Sequence, residues 1–408
     1  MSFLSTVFAR ALASRNYRLY FAGQLVSLAG TWMQQIAMIW LAYRLSNSAA
    51  VLGMVGFASQ IPILLFGPFA GVLTDRFDRR RILIVTQFLS MLQAVALTWL
   101  TFAGRASPEW LIGLAFVLGS INALDLPARQ AFSAQLVERR EDLANAIALN
   151  SMLMNGARFV GPALAGFAVA TIGEAWCFAI NATSYLAVIV ALLAIDAKAN
   201  VPHDTPAWRA FREGVGYVWS HADIRPRLFM VAAVSFLVTP YAVLMPLFAS
   251  EIFGGDARTY GLLIGSAGAG SLLAGLYLAS RKHTERLPRR VGVAVLVSGA
   301  GLTAFALNQL LAVAFPIVMV MGFAIITVIA GSNTLIQMQV EDVYRGRVMA
   351  IFSMAFLGIA PLGSFAVGHL AHAIGVQPAL FACGLGTLAV GWAARNIGMK
   401  AVRREGPL

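Results

Sequence analysis

The sequence predicts an all-α membrane protein with twelve transmembrane helices arranged as two pseudo-symmetric six-helix bundles. The prediction rests on three features of the chain. Apolar residues make up 59% of the 408 and charged ones only 12%, with a mean hydropathy of +0.76, far from the balance of a soluble domain. The apolar residues gather into runs, each long enough to cross a hydrocarbon core of roughly 30 Å as a helix. The two halves also repeat one another: a shift of 202 residues places Gln135 on Gln337, Ser151 on Ser353, Gly156 on Gly358, Gly161 on Gly363, Gly166 on Gly368 and Gly173 on Gly375. Several identities at one shift, in the matching place of each half, point to an internal duplication.

In chain order, the spans of the first half are read at 18–44, 51–74, 82–103, 110–136, 143–172 and 176–195. Arg10, Arg15 and Arg18 precede the first and keep the N-terminus in the cytoplasm. Ala11-Leu-Ala13 mimics a signal-peptidase site, but no adequate apolar stretch precedes it, so cleavage is not expected. Residues 1–195 form the N-terminal bundle and 196–227 a cytoplasmic linker with Pro202, Pro206 and no apolar run of spanning length. Within the linker, Trp208, Phe211, Val215, Val218 and Trp219 lie at helical spacing opposite Arg209, Arg212 and Glu213. That pattern fits either an amphipathic helix on the membrane surface or a packed linker helix. The C-terminal bundle, 228–408, has spans at 228–251, 259–280, 291–307, 309–339, 346–373 and 377–396, which returns the C-terminus to the cytoplasm.

The net charge of +12 and pI near 10.4 invite a nucleic-acid reading. The distribution of charge removes it. Of the 30 Lys and Arg residues, only Arg44, Arg105 and Arg258 fall on the outer side and Arg129 and Arg158 within spans, so the excess sits on the cytoplasmic face. Topology and contact with anionic lipid account for it. There is no Gly-xxxx-Gly-Lys-Ser/Thr loop for ATP, no His-Glu-xx-His and no Cys-xx-Cys; Cys177 and Cys383 lie in apolar parts of different spans. Neither an enzyme, nor a metal site, nor a bound cofactor is expected.

The sharpest break in the apolar pattern is Gly71-Val-Leu-Thr-Asp75-Arg76-Phe-Asp78-Arg79-Arg80-Arg81, between spans two and three. Its pattern Gly-xxx-Asp-Arg-xx-Arg-Arg resembles the signature loop of the major facilitator superfamily of secondary transporters, with Asp78 where a small residue is usual. An arginine run of this kind also serves simply to fix topology. A worn copy, Gly275 to Arg281 followed by Arg286, Arg289 and Arg290, stands between spans eight and nine with Ala279 in place of the acid. The resemblance implies that Gly71, Asp75, Arg76 and Arg79 form a latch against the start of span eleven, near Glu341 to Arg347, which holds the cytoplasmic side closed.

Charges inside the bilayer cost at least ~2.5 kcal/mol each, so each calls for a reason. Asp125 and Arg129 lie one helical turn apart on span four with Pro127 between them. They form either a self-neutralising pair or a proton-coupling site. Arg158, in mid-span five, needs a carboxylate, water or an anionic substrate, and a pairing of Asp125 with Arg158 across spans four and five is expected. Gly161-Pro162-Ala-Leu-Ala-Gly166 resembles the antiporter motif of drug exporters and reads as a hinge, or as a purely structural kink. Gln34, Gln35, Gln60, Asn181, Tyr241, Asn333 and Gln337 are candidates to line a substrate cavity, and His369 and His372 are candidate proton relays.

Together with Ala144 to Ser151 and Trp176 to Asn181, these motifs resemble the enterobactin exporter-like, transmembrane secretion effector branch of that superfamily. The resemblance implies alternating-access export of a siderophore-like or drug-like small molecule, driven by the proton gradient, from a monomer in the bacterial inner membrane. A lysophospholipid or lipid flippase of the same fold is the alternative, and a non-transporting membrane sensor a weaker one.

Overall fold

The computed structural model describes residues 10–137, 142–196, 207–281 and 285–404, with Gly71 and Asp75 among a few positions placed by backbone only. Twelve helices among them are long and apolar enough to cross a membrane. They are α1 (Arg15–Ser46), α2 (Ala49–Arg76), α3 (Arg79–Phe102), α4 (Pro108–Gln135), α5 (Leu143–Ile172) and α6 (Glu174–Ala194), followed by α7 (Arg225–Ile252), α8 (Ala257–Ala279), α9 (Leu287–Leu307), α10 (Leu311–Gln339), α11 (Asp342–Ile374) and α12 (Val376–Arg404). A linker helix, Ala207–Ser220, stands between α6 and α7. Each helix matches an expected span to within a few residues at either end. Several start a turn earlier, as α9 does at Leu287 rather than 291, because arginines at a helix end lie beyond the hydrocarbon without ending the helix.

Local chemistry sets the turns. Asp78 caps α3 by accepting from the Arg81 backbone N–H at 3.1 Å, so the unusual acid in the loop has a structural role. Asp256 caps α8 in the same way through Arg258 and Thr259. Gly173 and Gly375, a pair in the internal repeat, end α5 and α11 with φ of 84° and 94°, a conformation open to glycine and strained for other residues.

Helix pairing repeats between the halves. α2 packs on α4 and α8 on α10; α3 on α6 and α9 on α12; α1 on α6 and α7 on α12. The halves meet along two equivalent seams, α5 with α8 and α2 with α11. In lipid, helices gain little from the hydrophobic effect, so such seams depend on close approach. A Cβ on Gly261 would lie 2.8 Å from the Cα of Gly166, and one on Gly53 would lie 2.8 Å from the Cα of Gly368. Gly166 and Gly368 are again repeat partners.

The glycine contacts are not uniform along the seams. Gly261, Gly268 and Gly275 lie seven residues apart on one face of α8. A Cβ on Gly268 would still fall 2.8 Å from the Cα of Phe159, but one on Gly275 meets nothing within 4 Å. On α2, Gly53 touches α11, and Gly67, four turns on and close to the same face, meets nothing within 4 Å. The closest glycine contacts thus lie toward the face away from the termini, while nearer the basic face α2 meets α11 through Leu64 against Gly358 and also contacts the linker helix.

The linker helix settles the choice left by its pattern. It docks on the basic start of α11: Glu213 pairs with Arg347 at 2.7 Å, Gly214 lies against Arg347, and the Tyr217 ring stacks on Tyr344 at 4.5 Å. The Tyr217 hydroxyl accepts from the Glu341 backbone N–H at 3.3 Å. Trp219 remains exposed, and the side chains of Trp208, Arg209 and Phe211 lie outside the described residues.

Gly166→Val is expected to lower stability in detergent by roughly 1–3 kcal/mol through overpacking at the seam, while Gly275→Val, in open space, stays within about 0.5 kcal/mol. Thermal unfolding of the two purified variants separates these outcomes.

Candidate functional site

The polar residues of the N-terminal half fall into two buried groups. In the first, Asp125 on α4 is 1% exposed. One carboxylate oxygen accepts from Thr86 Oγ1 at 2.7 Å and from Gln87 Nε2 at 2.9 Å, both on α3, and the other pairs with Arg129 one turn along α4. Arg129 in turn donates to Gln24 Oε1 on α1 at 2.9 Å, and its backbone carbonyl accepts from the Tyr20 hydroxyl at 3.4 Å. A carboxylate and a guanidinium taken out of water are tolerable when paired and hydrogen-bonded in this way. The accounting is incomplete, since Arg129 Nε and Gln87 Oε1 are buried without partners among the described residues.

The expected pairing of Asp125 with Arg158 does not form. Asp125 points to α3, inside the N-terminal bundle, whereas Arg158 lies on α5 at the seam with α8. The partner of Asp125 is Arg129, which the sequence places within reach on the same helix.

In the second group Gln34 donates to Gln93 at 2.9 Å, Asn181 donates to Gln34 at 2.7 Å, and Gln93 donates to the Leu114 carbonyl at 3.1 Å. Gln34 is 2% exposed and Asn181 0%. These two expected cavity residues are instead interior hydrogen-bonding pairs that tie α1, α3, α4 and α6 together. Thr86, Gln87 and Gln93 were not singled out from the sequence. Their signal was a run of polar residues at 86, 87, 90 and 93, one stripe of an otherwise apolar span.

Arg158 stands apart. Its side chain is exposed, has no hydrogen-bond or ion-pair partner among the described residues, and interacts electrostatically with Tyr241 of α7 across the two halves. Pro162, lacking an N–H, frees the Arg158 carbonyl from its helical bond. Gly268 of α8 lies against that carbonyl, so the proline and the glycine seam meet at this residue. Gly161 accommodates Trp32 of α1, and Gly166 accommodates α8. α5 runs unbroken through Pro162. Tyr241 is buried, Gln35 exposed and Gln60 half-buried; Asn333 and Gln337 hydrogen-bond each other at 2.5 Å on α10. His369 bonds its own helix at the Phe365 carbonyl, and His372 reaches Ser48 at 3.5 Å.

At the signature loop, Arg80 donates to the carbonyls of Leu192 and Leu193 at 2.7 and 2.8 Å, closing the end of α6. Gly71 and Asp75 lie on the last turns of α2, and Arg76 and Arg79 flank the turn itself. The latch contact from the Asp75 side chain lies outside the described residues.

Arg129→Gln, which leaves Asp125 buried without its cation, is expected to cost about 3–5 kcal/mol. The double variant Asp125→Asn/Arg129→Gln should lose less than the sum of the two single changes, a coupling that a double-mutant cycle of unfolding midpoints measures.

The chain is similar to known transporters along most of its length. The chain is 26% identical over 382 residues to the staphyloferrin A transporter of Staphylococcus aureus, covering 91% of this chain and 93% of that one. It is 26% identical over 378 residues to macrolide efflux protein A of Streptococcus pyogenes, covering 89% and 92%. A bacterial homologue of the human lysosomal transporter Spinster, solved inward-facing and unoccupied, superposes with a TM-score of 0.73 at 15% identity, over 95% of this chain and 98% of that one. A family model described as transmembrane secretion effector matches residues 6–405, and the chain belongs to that family of major facilitator transporters.

Proposed function

We propose that the protein is a proton-coupled exporter of a siderophore-like or drug-like small molecule, working by alternating access as a monomer in a bacterial inner membrane with both termini in the cytoplasm. Siderophore and macrolide transport are named for relatives, and the basic face agrees with a cytoplasmic placement. The observation that carries the reading is Arg158: a cation on α5 with no partner among the described residues, next to Tyr241, at the seam between the two halves. A substrate passing between the two halves would meet this residue at the seam. An anionic group on the substrate would serve as the missing counterion, and its binding would bias the balance of the two states.

The proton would act at Asp125. Protonation removes the attraction that holds Arg129, whose side chain is 26% exposed and so has room to change partners. No cofactor beyond the proton gradient enters the cycle. The latch of Gly71, Asp75, Arg76 and Arg79 would engage in the opposite state, when the basic face is closed.

The test is substrate-dependent dissipation of a pH gradient in inverted vesicles, using a panel of siderophores, dyes and macrolides. Asp125→Asn is expected to abolish dissipation while binding persists, and Arg158→Ala to weaken binding of an anionic substrate by about 10- to 100-fold, the value of a hydrogen bond to a charged group. Unchanged coupling in Asp125→Asn would remove it as the proton site. Movement of labelled lysophospholipid, with no response from the panel, would instead establish a flippase.

A further inference from the structure

The worn copy of the signature loop lies beside a groove of about 550 Å³ between α8, α9 and α10 at the basic face. Arg286, Arg289 and Arg290 stand at its rim; Tyr277, Val293 and Phe323 are among the residues that wall it. Arg290 and Arg281 both lie over the Tyr277 ring, at 5.7 and 4.8 Å. Arg286 and Arg289 have no ion-pair or hydrogen-bond partner among the described residues and are exposed.

The corresponding loop of the N-terminal half is equipped differently. There Arg80 is taken up by two backbone carbonyls of α6, and an aspartate stands at position 75. In the C-terminal half Ala279 replaces the acid, and the arginines are left pointing to the level of the lipid headgroups above an apolar wall. A ligand that satisfies both parts has a phosphate at one end and a hydrocarbon chain at the other.

We propose that this groove binds an anionic phospholipid of the leaflet at the basic face, its phosphate on Arg286 and Arg289 and an acyl chain along Val293 and Phe323. Basic pockets between transmembrane helices at this level suit such headgroups. The site is on the outer side of one half and does not depend on the substrate carried.

The experiment is native mass spectrometry of the full-length protein, purified in detergent and titrated with phosphatidylglycerol or phosphatidylethanolamine, with inorganic phosphate as competitor. Wild type is expected to retain phosphatidylglycerol in preference to phosphatidylethanolamine, and millimolar phosphate not to displace it. Arg286→Gln/Arg289→Gln should bind about 25-fold more weakly, at about fivefold for each basic residue near the surface. Val293→Asp, which keeps the arginines and spoils the apolar wall, should also lose the lipid, while Arg105→Gln on the opposite face keeps it. Equal retention of both lipids, equal binding by the double arginine variant, or displacement by phosphate alone would overturn the proposal. Monodisperse elution and unchanged helicity of each variant show that a loss of lipid is not a loss of fold.

Discussion

Backbone-to-backbone approach at two glycine pairs is the constraint on which the rest of the structure depends. In a bilayer the helices of the two halves gain no hydrophobic energy by meeting, so their contact rests on close packing. Gly166 with Gly261, and Gly368 with Gly53, allow that packing toward the face away from the termini. Further toward the basic face, Gly275 and Gly67 face open space among the described residues, and Leu64 beside Gly358 continues the contact of α2 with α11. In the proposed cycle, two states related by rocking would interconvert because the tightest contact is local.

Within this frame the charges sort themselves by the kind of neighbour they have. Asp125 and Arg129 are satisfied inside one bundle by Thr86, Gln87 and Gln24. They contribute little to the seam between halves. Arg158 is on the seam and unsatisfied. The same distinction separates the interior network of Gln34, Gln93 and Asn181 from the residues that remain accessible, such as Gln35. A buried amide pair fixes one bundle as a rigid body, and rigid bodies are what rocking requires.

Much of the fold was legible in the sequence, because the bilayer imposes one length and one polarity on every span. The duplication was legible too, through residues such as Gly173 and Gly375, which share a backbone conformation that disfavours other residues. The candidate site was less so. Counting charges per span identified Asp125, Arg129 and Arg158, but the direction in which each faces depends on how helices rotate against each other, which hydropathy does not encode. Asp125 turned to a polar stripe on α3 that single-residue scanning overlooked. Asp78, read as a departure from a familiar loop, proved to be a helix cap.

The isolation of Arg158 also bears on the empty protein. In the proposed cycle, closing the two halves over an unloaded cavity would leave a lone guanidinium in a space with little water, and the desolvation of an unpaired charge amounts to several kcal/mol. That penalty would act as a barrier against idle cycling. A carrier whose central cation is neutralised only by cargo resists turning over without it, and so limits the leak of the gradient that would drive it.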